Sequence, residues 1–305
     1  MFLKYKLSFI ALLVFYFSGF AQTTNRPYVL VLGVAQDGGY PHMGCTNICC
    51  ISAWKNPALQ KTVASLALVN PITKKWYLFD ASPDIKKQLN DFGKQTKNAF
   101  PYLPEGIFIT HAHIGHYTGL MEFGREVMNT KKLNVYVLPK LKSFLEENGP
   151  WSQLVKLQNI NITALQADKP FETDEIKIIA FTVPHRDEYS ETAGFEIFTN
   201  AKKYLFIPDI DKWNRNIIEM VKKVDFAFLD ATFYSTGELG NRPISEVPHP
   251  LVTETIKLFE NEPAGNKSKI QFIHLNHTNK LLWDKKAQKS FLSTGFHLAK
   301  QGGIY

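Results

Sequence analysis

The sequence predicts an α/β protein in which two groups of strands, each covered by helices, stack as a four-layer αββα sandwich. Three observations lead there: about ten short β-branched and aromatic runs, amphipathic helical patterns between some of them, and a cluster of histidines at the end of one strand. Periodicity alone leaves a doubly wound sheet open, and the histidine motif makes the choice. The 305 residues are 45% hydrophobic and 21% charged, enough apolar material for a packed core and too little charge for a disordered chain.

At the N-terminus, Lys4 and Lys6 precede the apolar run Leu7 to Phe17, and the small residues Gly19 and Ala21 follow. This is the three-part pattern of a secretory signal peptide, with cleavage expected after Ala21. The run is shorter than the roughly 20 residues that span a bilayer, and no later stretch is apolar enough to cross one. The expectation is a signal peptide over residues 1–21 and one domain over 22–305. The mature protein is then periplasmic or secreted, with no membrane contact.

Strands are expected at Tyr28 to Val34, Ser65 to Val69, Trp76 to Phe79, Gly106 to Ile109 and Leu133 to Leu138. Further strands are expected at Ile176 to Val183, Thr192 to Phe198, Lys203 to Ile207, Phe226 to Leu229 and Ile270 to Ile273. Apolar residues three and four apart predict helices over Gly119 to Val127, Pro139 to Glu147, Lys212 to Val221 and Pro250 to Phe259. No internal repeat, low-complexity linker or shift in composition marks a domain boundary. The net charge of +7 favours a small anionic substrate. The basic residues are scattered rather than massed, so nucleic-acid binding is not expected.

The strand Ile107 to Thr110 delivers His111, His113 and His116 into a turn. Imidazole is the usual nitrogen ligand of a first-row divalent ion, and three in six residues at a strand end point to metal. Later strands end in compatible ligands: His185 after Val183-Pro184, Asp209 after Ile207-Pro208, and His274 after Ile273.

Thr110-His111-Ala112-His113-Ile114-Gly115-His116, followed by His185, Asp209 and His274, resembles the metallo-β-lactamase superfamily, whose signature is His-x-His-x-Asp-His followed by His, Asp and His. Leu78-Phe79-Asp80-Ala81 and Leu229-Asp230-Ala231-Thr232 are similar to its early and late acidic strand ends. The resemblance covers nearly the whole mature chain and implies the αββα fold. It also implies that His111, His113 and His185 hold a first ion, while His116, His274 and a bridging Asp209 serve a second. Gly115 stands where the signature has aspartate, so the second ion is expected to lose a carboxylate and bind more weakly; a mononuclear and a dinuclear site both remain open.

A narrower resemblance begins at Val31-Leu32-Gly33-Val34-Ala35-Gln36-Asp37-Gly38-Gly39-Tyr40-Pro41 and continues to Cys45 and Cys50. It is to the coenzyme PQQ synthesis protein B group and to a phosphodiesterase of the carbon–phosphorus lyase pathway. That resemblance implies a structural zinc on Cys45, Cys49, Cys50 and His277, with Asn47 in the place of the usual middle cysteine. In an exported protein the competing picture is a disulfide from Cys45 to one of its neighbours.

Zinc is the expected ion, one or two in the active site and one at the cysteines; iron or manganese also suits the histidine and carboxylate set. Zinc on three neutral imidazoles brings the pKa of bound water to about 7, which makes hydrolysis the natural reaction. Asp209 is the candidate to orient that water and take its proton. His249, between Pro248 and Pro250, is the candidate for contact with a leaving group, as is Tyr117, and Arg186 for countering an anion. The reading is an exported hydrolase of a small anionic ester such as a phosphodiester. The alternatives are an oxidative metal protein of PQQ-type cofactor synthesis and, because of Gly115, a degenerate non-catalytic carrier.

Overall fold

The computed structural model describes residues 26–173, 176–213, 216–240 and 243–305; the expected signal peptide lies outside them. Apolar residues on both faces of the central strands force them between layers, and two sheets result. The first holds β1 (Tyr28–Gly33), β2 (Ser65–Asn70), β3 (Lys75–Phe79), β4 (Gly106–Phe108), β5 (Leu133–Val137) and β6 (Ile160–Ala164), side by side in that order. The second holds β7 (Pro170–Thr173), β8 (Ile176–Val183), β9 (Thr192–Thr199), β10 (Lys203–Ile207), β11 (Phe226–Asp230), β12 (Ile270–Ile273) and β13 (His297–Leu298), again in sequence order.

Side chains alternate along each strand, and the alternation assigns the layers. Val29, Val31, Tyr77, Phe79 and Phe108 turn toward the second sheet, where Phe79 meets Phe195 and Phe206 edge-on at ring separations of 5.4 and 6.2 Å. Leu30, Leu32, Trp76, Leu78 and Ile107 turn the other way, under the helices Ile85–Gln95, Pro139–Glu147 and Trp151–Lys156. Helices outside both sheets complete the αββα sandwich.

Three strands escape the sequence pattern: β6, β7 and β13. All three are edge strands, half solvated and therefore carrying polar residues or proline where a central strand carries apolar ones. The expected helix Gly119 to Val127 is instead a short helix Ile114–Tyr117 followed by a 3-10 segment Thr118–Phe123. Gly119 lies against the backbone of Ala81 and Ser82, too close for any side chain, and that approach holds the tighter geometry. The helix expected from Lys212 starts at Ile217, after the Asn216 side chain accepts from the Glu219 N–H. No helix among the described residues is long and apolar enough to cross a membrane.

Candidate metal centre

β3 and β4 run parallel, as do β10, β11 and β12, while two antiparallel pairings return β8 to the direction of β10. Their C-terminal ends therefore open on one edge, where α/β folds place their sites. Beyond β3 comes Asp80; beyond β4 come His111, His113 and His116. Beyond β8, β10 and β12 come His185, Asp209 and His274, and Asp230 ends β11. Asp80 and His274 both adopt the left-handed backbone region, at φ 63°. Such strain in residues without glycine's freedom is held by surrounding structure and clusters at functional sites. Two hydrogen bonds tie the histidine turn to the second sheet, Ala193 N–H to Thr110 O at 2.9 Å and Ala112 N–H to Ser190 Oγ at 2.9 Å.

Each histidine is oriented by what its outer ring nitrogen donates to. His116 Nδ1 donates to Asp80 Oδ2 at 2.8 Å, and the other Asp80 oxygen accepts from the Thr110 N–H and hydroxyl. Because the Thr110 hydroxyl hydrogen is spent on Asp80, its oxygen accepts from His111 Nδ1 at 2.9 Å. Thr232 repeats the arrangement: its hydroxyl donates to Asp230 Oδ1 at 2.8 Å and accepts from His274 Nδ1 at 2.9 Å. His185 Nδ1 donates to Asp211 at 2.9 Å, and His113 Nε2 to Glu188 at 3.1 Å. In the neutral rings five tautomers are thereby set, and the five remaining nitrogens then carry lone pairs.

Those lone pairs converge on two points. His111 Nε2, His113 Nδ1 and His185 Nε2 form one group, with separations of 2.8 and 3.2 Å about His113 Nδ1. His116 Nε2, His274 Nε2, Asp209 Oδ2 and Asp37 Oδ1 form the other, with adjacent separations of 2.7 to 3.4 Å. Ligands of a tetrahedral zinc lie about 3.3 Å apart, so both groups have the right spread. Asp209 lies between them, its Oδ2 3.7 Å from His111 Nε2 and its Oδ1 3.9 Å from His185 Nε2.

The fit to a cation is tested by what these atoms lack. His116 Nε2 is fully buried and has no hydrogen-bond partner; it faces two carboxylate oxygens that have no proton to give. Lone pairs 2.8 Å apart on His111 and His113 repel unless a positive charge lies between them. Without an ion the cluster must supply that charge itself. Burial alone would depress His116, but the carboxylates of Asp80, Asp209 and Asp37 raise its pKa well above the ordinary imidazole value. Burial, then the charge of His116, hold His111 well below it. For Asp209 burial acts upward, but the charges of His274 and His116 outweigh it and bring the carboxyl well below the usual range.

A profile of the Beta-lactamase superfamily domain matches residues 75–275, the stretch that carries all of these ligands except Asp37. The chain belongs to the metallo-β-lactamase superfamily. With that membership comes a metallo-hydrolase type of active site, and the two clusters of this metallo-β-lactamase member are of the kind found in its hydrolases and in the PQQ synthesis protein B family. The chain is 26% identical over 298 residues to the coenzyme PQQ synthesis protein B of Gluconobacter oxydans (strain 621H), covering 90% of this chain and 96% of that protein. The corresponding protein of Methylococcus capsulatus is 25% identical over 305 residues. Among solved structures, Zn(2+)-bound PqqB from Methylobacterium extorquens superposes with a TM-score of 0.75 at 20% identity, over 91% of this chain and 99% of that one. A diphosphatase of the PhnP family superposes at 0.68, also at 20% identity, over 92% of this chain and 96% of the other.

The structure brings His111, His113 and His185 together in one group and His116, Asp209 and His274 in the other. His249 is buried beside them: its Nδ1 is 2.8 Å from Asp230 Oδ2 and 3.4 Å from Asp209 Oδ1. Tyr117 does not suit the role of a leaving-group contact, since it is buried in the outer core against Trp151 and Phe144. Cys45, Cys49, Cys50 and His277 form a third group. The cysteines are free thiols, with Sγ separations of 3.6 Å for Cys45 to Cys49 and 3.9 Å for Cys49 to Cys50. These exceed the 2.05 Å of a disulfide. The sequence reading missed Asp37, Asp211 and Glu188. For Asp37 there was a signal: a carboxylate in a glycine-rich turn of a chain whose metal motif lacks one.

Proposed function

We propose that the chain is a metal-dependent hydrolase of a small anionic ester, with a phosphodiester as the first substrate class to try. The observation that carries this reading is the convergence of five oriented imidazole lone pairs on two adjoining points that share Asp209. A zinc ion held by these residues would bring the pKa of a bound water to about 7 and would polarise a substrate oxygen. Asp209, against both groups, orients the water and holds its proton. Burial would keep His249 neutral, but the charge and hydrogen bond of Asp230 raise its pKa, so it is suited to return a proton to the leaving group. The reading includes export, which the Lys4, Lys6 and Leu7 to Phe17 pattern supports.

Hydrolysis of bis(p-nitrophenyl) phosphate by the purified protein is the test. Activity is expected to disappear with chelator, return with zinc, and drop at least roughly 100-fold in His113→Ala, which removes an ion ligand. Unchanged hydrolysis in that variant would sink the assignment.

A second reading is an oxidative metal enzyme of PQQ-type cofactor synthesis, with iron in place of zinc. Similarity to PQQ synthesis B proteins over about nine-tenths of the chain supports it, and supports it better than anything supports the ester substrate, since the histidine and carboxylate groups suit either metal. A histidine and carboxylate set with open positions suits iron. Element analysis with an oxygen-uptake assay separates the two.

We read the cysteine group as a structural zinc site. Its sulfur separations bracket the roughly 3.8 Å edge of tetrahedral zinc thiolate, and His277 Nδ1 lies 3.6 and 3.5 Å from Cys49 and Cys50 Sγ. Burial pushes the metal-free Cys50 thiol up to about 12 and raises Cys49 as well. Both must give up protons to bind, so zinc affinity rises with pH. Between pH 6 and 8 it is expected to climb by at least about 100-fold per pH unit, one decade each for the Cys49 and Cys50 protons, and more steeply wherever Cys45 is still a thiol. Chelator competition measures this, and a flat profile would argue against the site.

A further inference from the structure

We propose that Asp37, on the loop after β1, is the carboxylate ligand of the second ion and occupies the space that an aspartate at position 115 would fill. The inference holds under either reading of the reaction.

The first support is spatial exclusion. A Cβ on Gly115 would overlap Asp37 Oδ1, and it would lie 2.7 Å from Asp37 Cγ and 2.8 Å from Asp37 Cα. Real Cβ atoms essentially never come so near, so the Asp37 carboxylate and any side chain at 115 cannot share the site. Gly115 is thus the residue that lets another part of the chain enter, as glycine does wherever backbone must approach closely.

The second support is the unmet need at the site. His116 Nε2 is buried without a hydrogen-bond partner, and because Nδ1 donates to Asp80, it presents a lone pair whenever the ring is neutral. Asp37 Oδ1 lies 3.3 Å from it and 3.4 Å from His274 Nε2. With Asp209 Oδ2, this makes two imidazole nitrogens and two carboxylate oxygens around one point. The two carboxylates balance the charge of a divalent ion, where Asp209 alone would not.

The third support is that Asp37 is held in place. The Leu275 N–H donates to Val34 O at 2.9 Å, and the Gln36 N–H donates to Leu275 O at 2.9 Å. The loop is therefore paired with the residue that follows His274. Gly39 N–H closes the turn onto Gln36 O at 2.7 Å, with Gly39 at φ 66°. A ligand tied to its neighbour ligand's backbone is pre-organised.

The test counts ions rather than turnover. Parent protein, Asp37→Asn and Gly115→Ala, each as the full mature chain, are dialysed against buffered zinc, and zinc per chain is measured by mass spectrometry with chelator competition. Asp37→Asn keeps the side chain's shape and is expected to weaken one ion by about 100-fold or more, a full ligand counting for at least as much as an outer-layer partner. The other ions should stay, and their retention shows that the variant is folded. Gly115→Ala removes no ligand atom, yet its methyl should displace Asp37 and weaken the same ion. Parent-like zinc content in Asp37→Asn would overturn the ligand assignment, and so would loss of every ion. Parent-like content in Gly115→Ala would overturn the exclusion between the two positions.

Discussion

Asp209→Ala should lose on the order of 10³-fold in kcat/KM for whatever reaction the centre supports, because under the proposed reading it removes a metal ligand and a proton acceptor together. The carboxylate is 2% exposed, and both of its oxygens are engaged. Oδ2 lies 2.7 Å from His116 Nε2 and 3.4 Å from His274 Nε2, while Oδ1 lies 3.4 Å from His249 Nδ1. Among the described residues, no other carboxylate lies within 4 Å of both histidine groups. His111, His113 and His185 remain in the variant as a three-nitrogen site, so one ion should persist there while the second weakens. Steady-state kinetics with saturating zinc, read beside zinc content, check both parts. A loss smaller than about tenfold would remove Asp209 from the chemistry.

Phe79→Ala should destabilise the fold by about 3–5 kcal/mol, the usual cost of emptying an aromatic site in a packed core. Phe79 is fully buried. Its ring stacks on Phe108 at 5.1 Å and meets Phe195 and Phe206 across the interface between the sheets. Asp80 follows Phe79 in the chain, and the first sheet brings His111, His113 and His116 while the second brings His185, Asp209 and His274. For a chain of 305 residues, 1 kcal/mol moves Tm by about 1.5–2 °C, so a drop of roughly 5–8 °C is expected. Thermal unfolding should be followed at one fixed zinc concentration, since ions that bind only the folded chain add their own stabilisation. A drop under about 2 °C would mean that the sheets are held together elsewhere.

Much of the centre was legible because its parts sit at strand ends. His111, His185, Asp209 and His274 each follow an apolar run that ends abruptly, and a sheet exposes such residues together along one edge. The central strands were legible for the same reason, since burial on two sides leaves long apolar runs. β6, β7 and β13 were not, because an edge strand needs only half of that pattern. Tyr117 was misread because sequence places it beside His116 but does not say which way a residue on a short helix points.

The amino-acid sequence by itself determined the kinds of ligand, their order along the chain and the strand ends that carry them, since these follow from local chemistry. Only the tertiary structure decided which carboxylate completes the second group. Gly115 reads locally as a lost ligand, but the space above it is filled by Asp37. Excluded volume between residues remote in sequence is set when the sheets pack and the loop after β1 pairs with Leu275, and no local pattern contains that information.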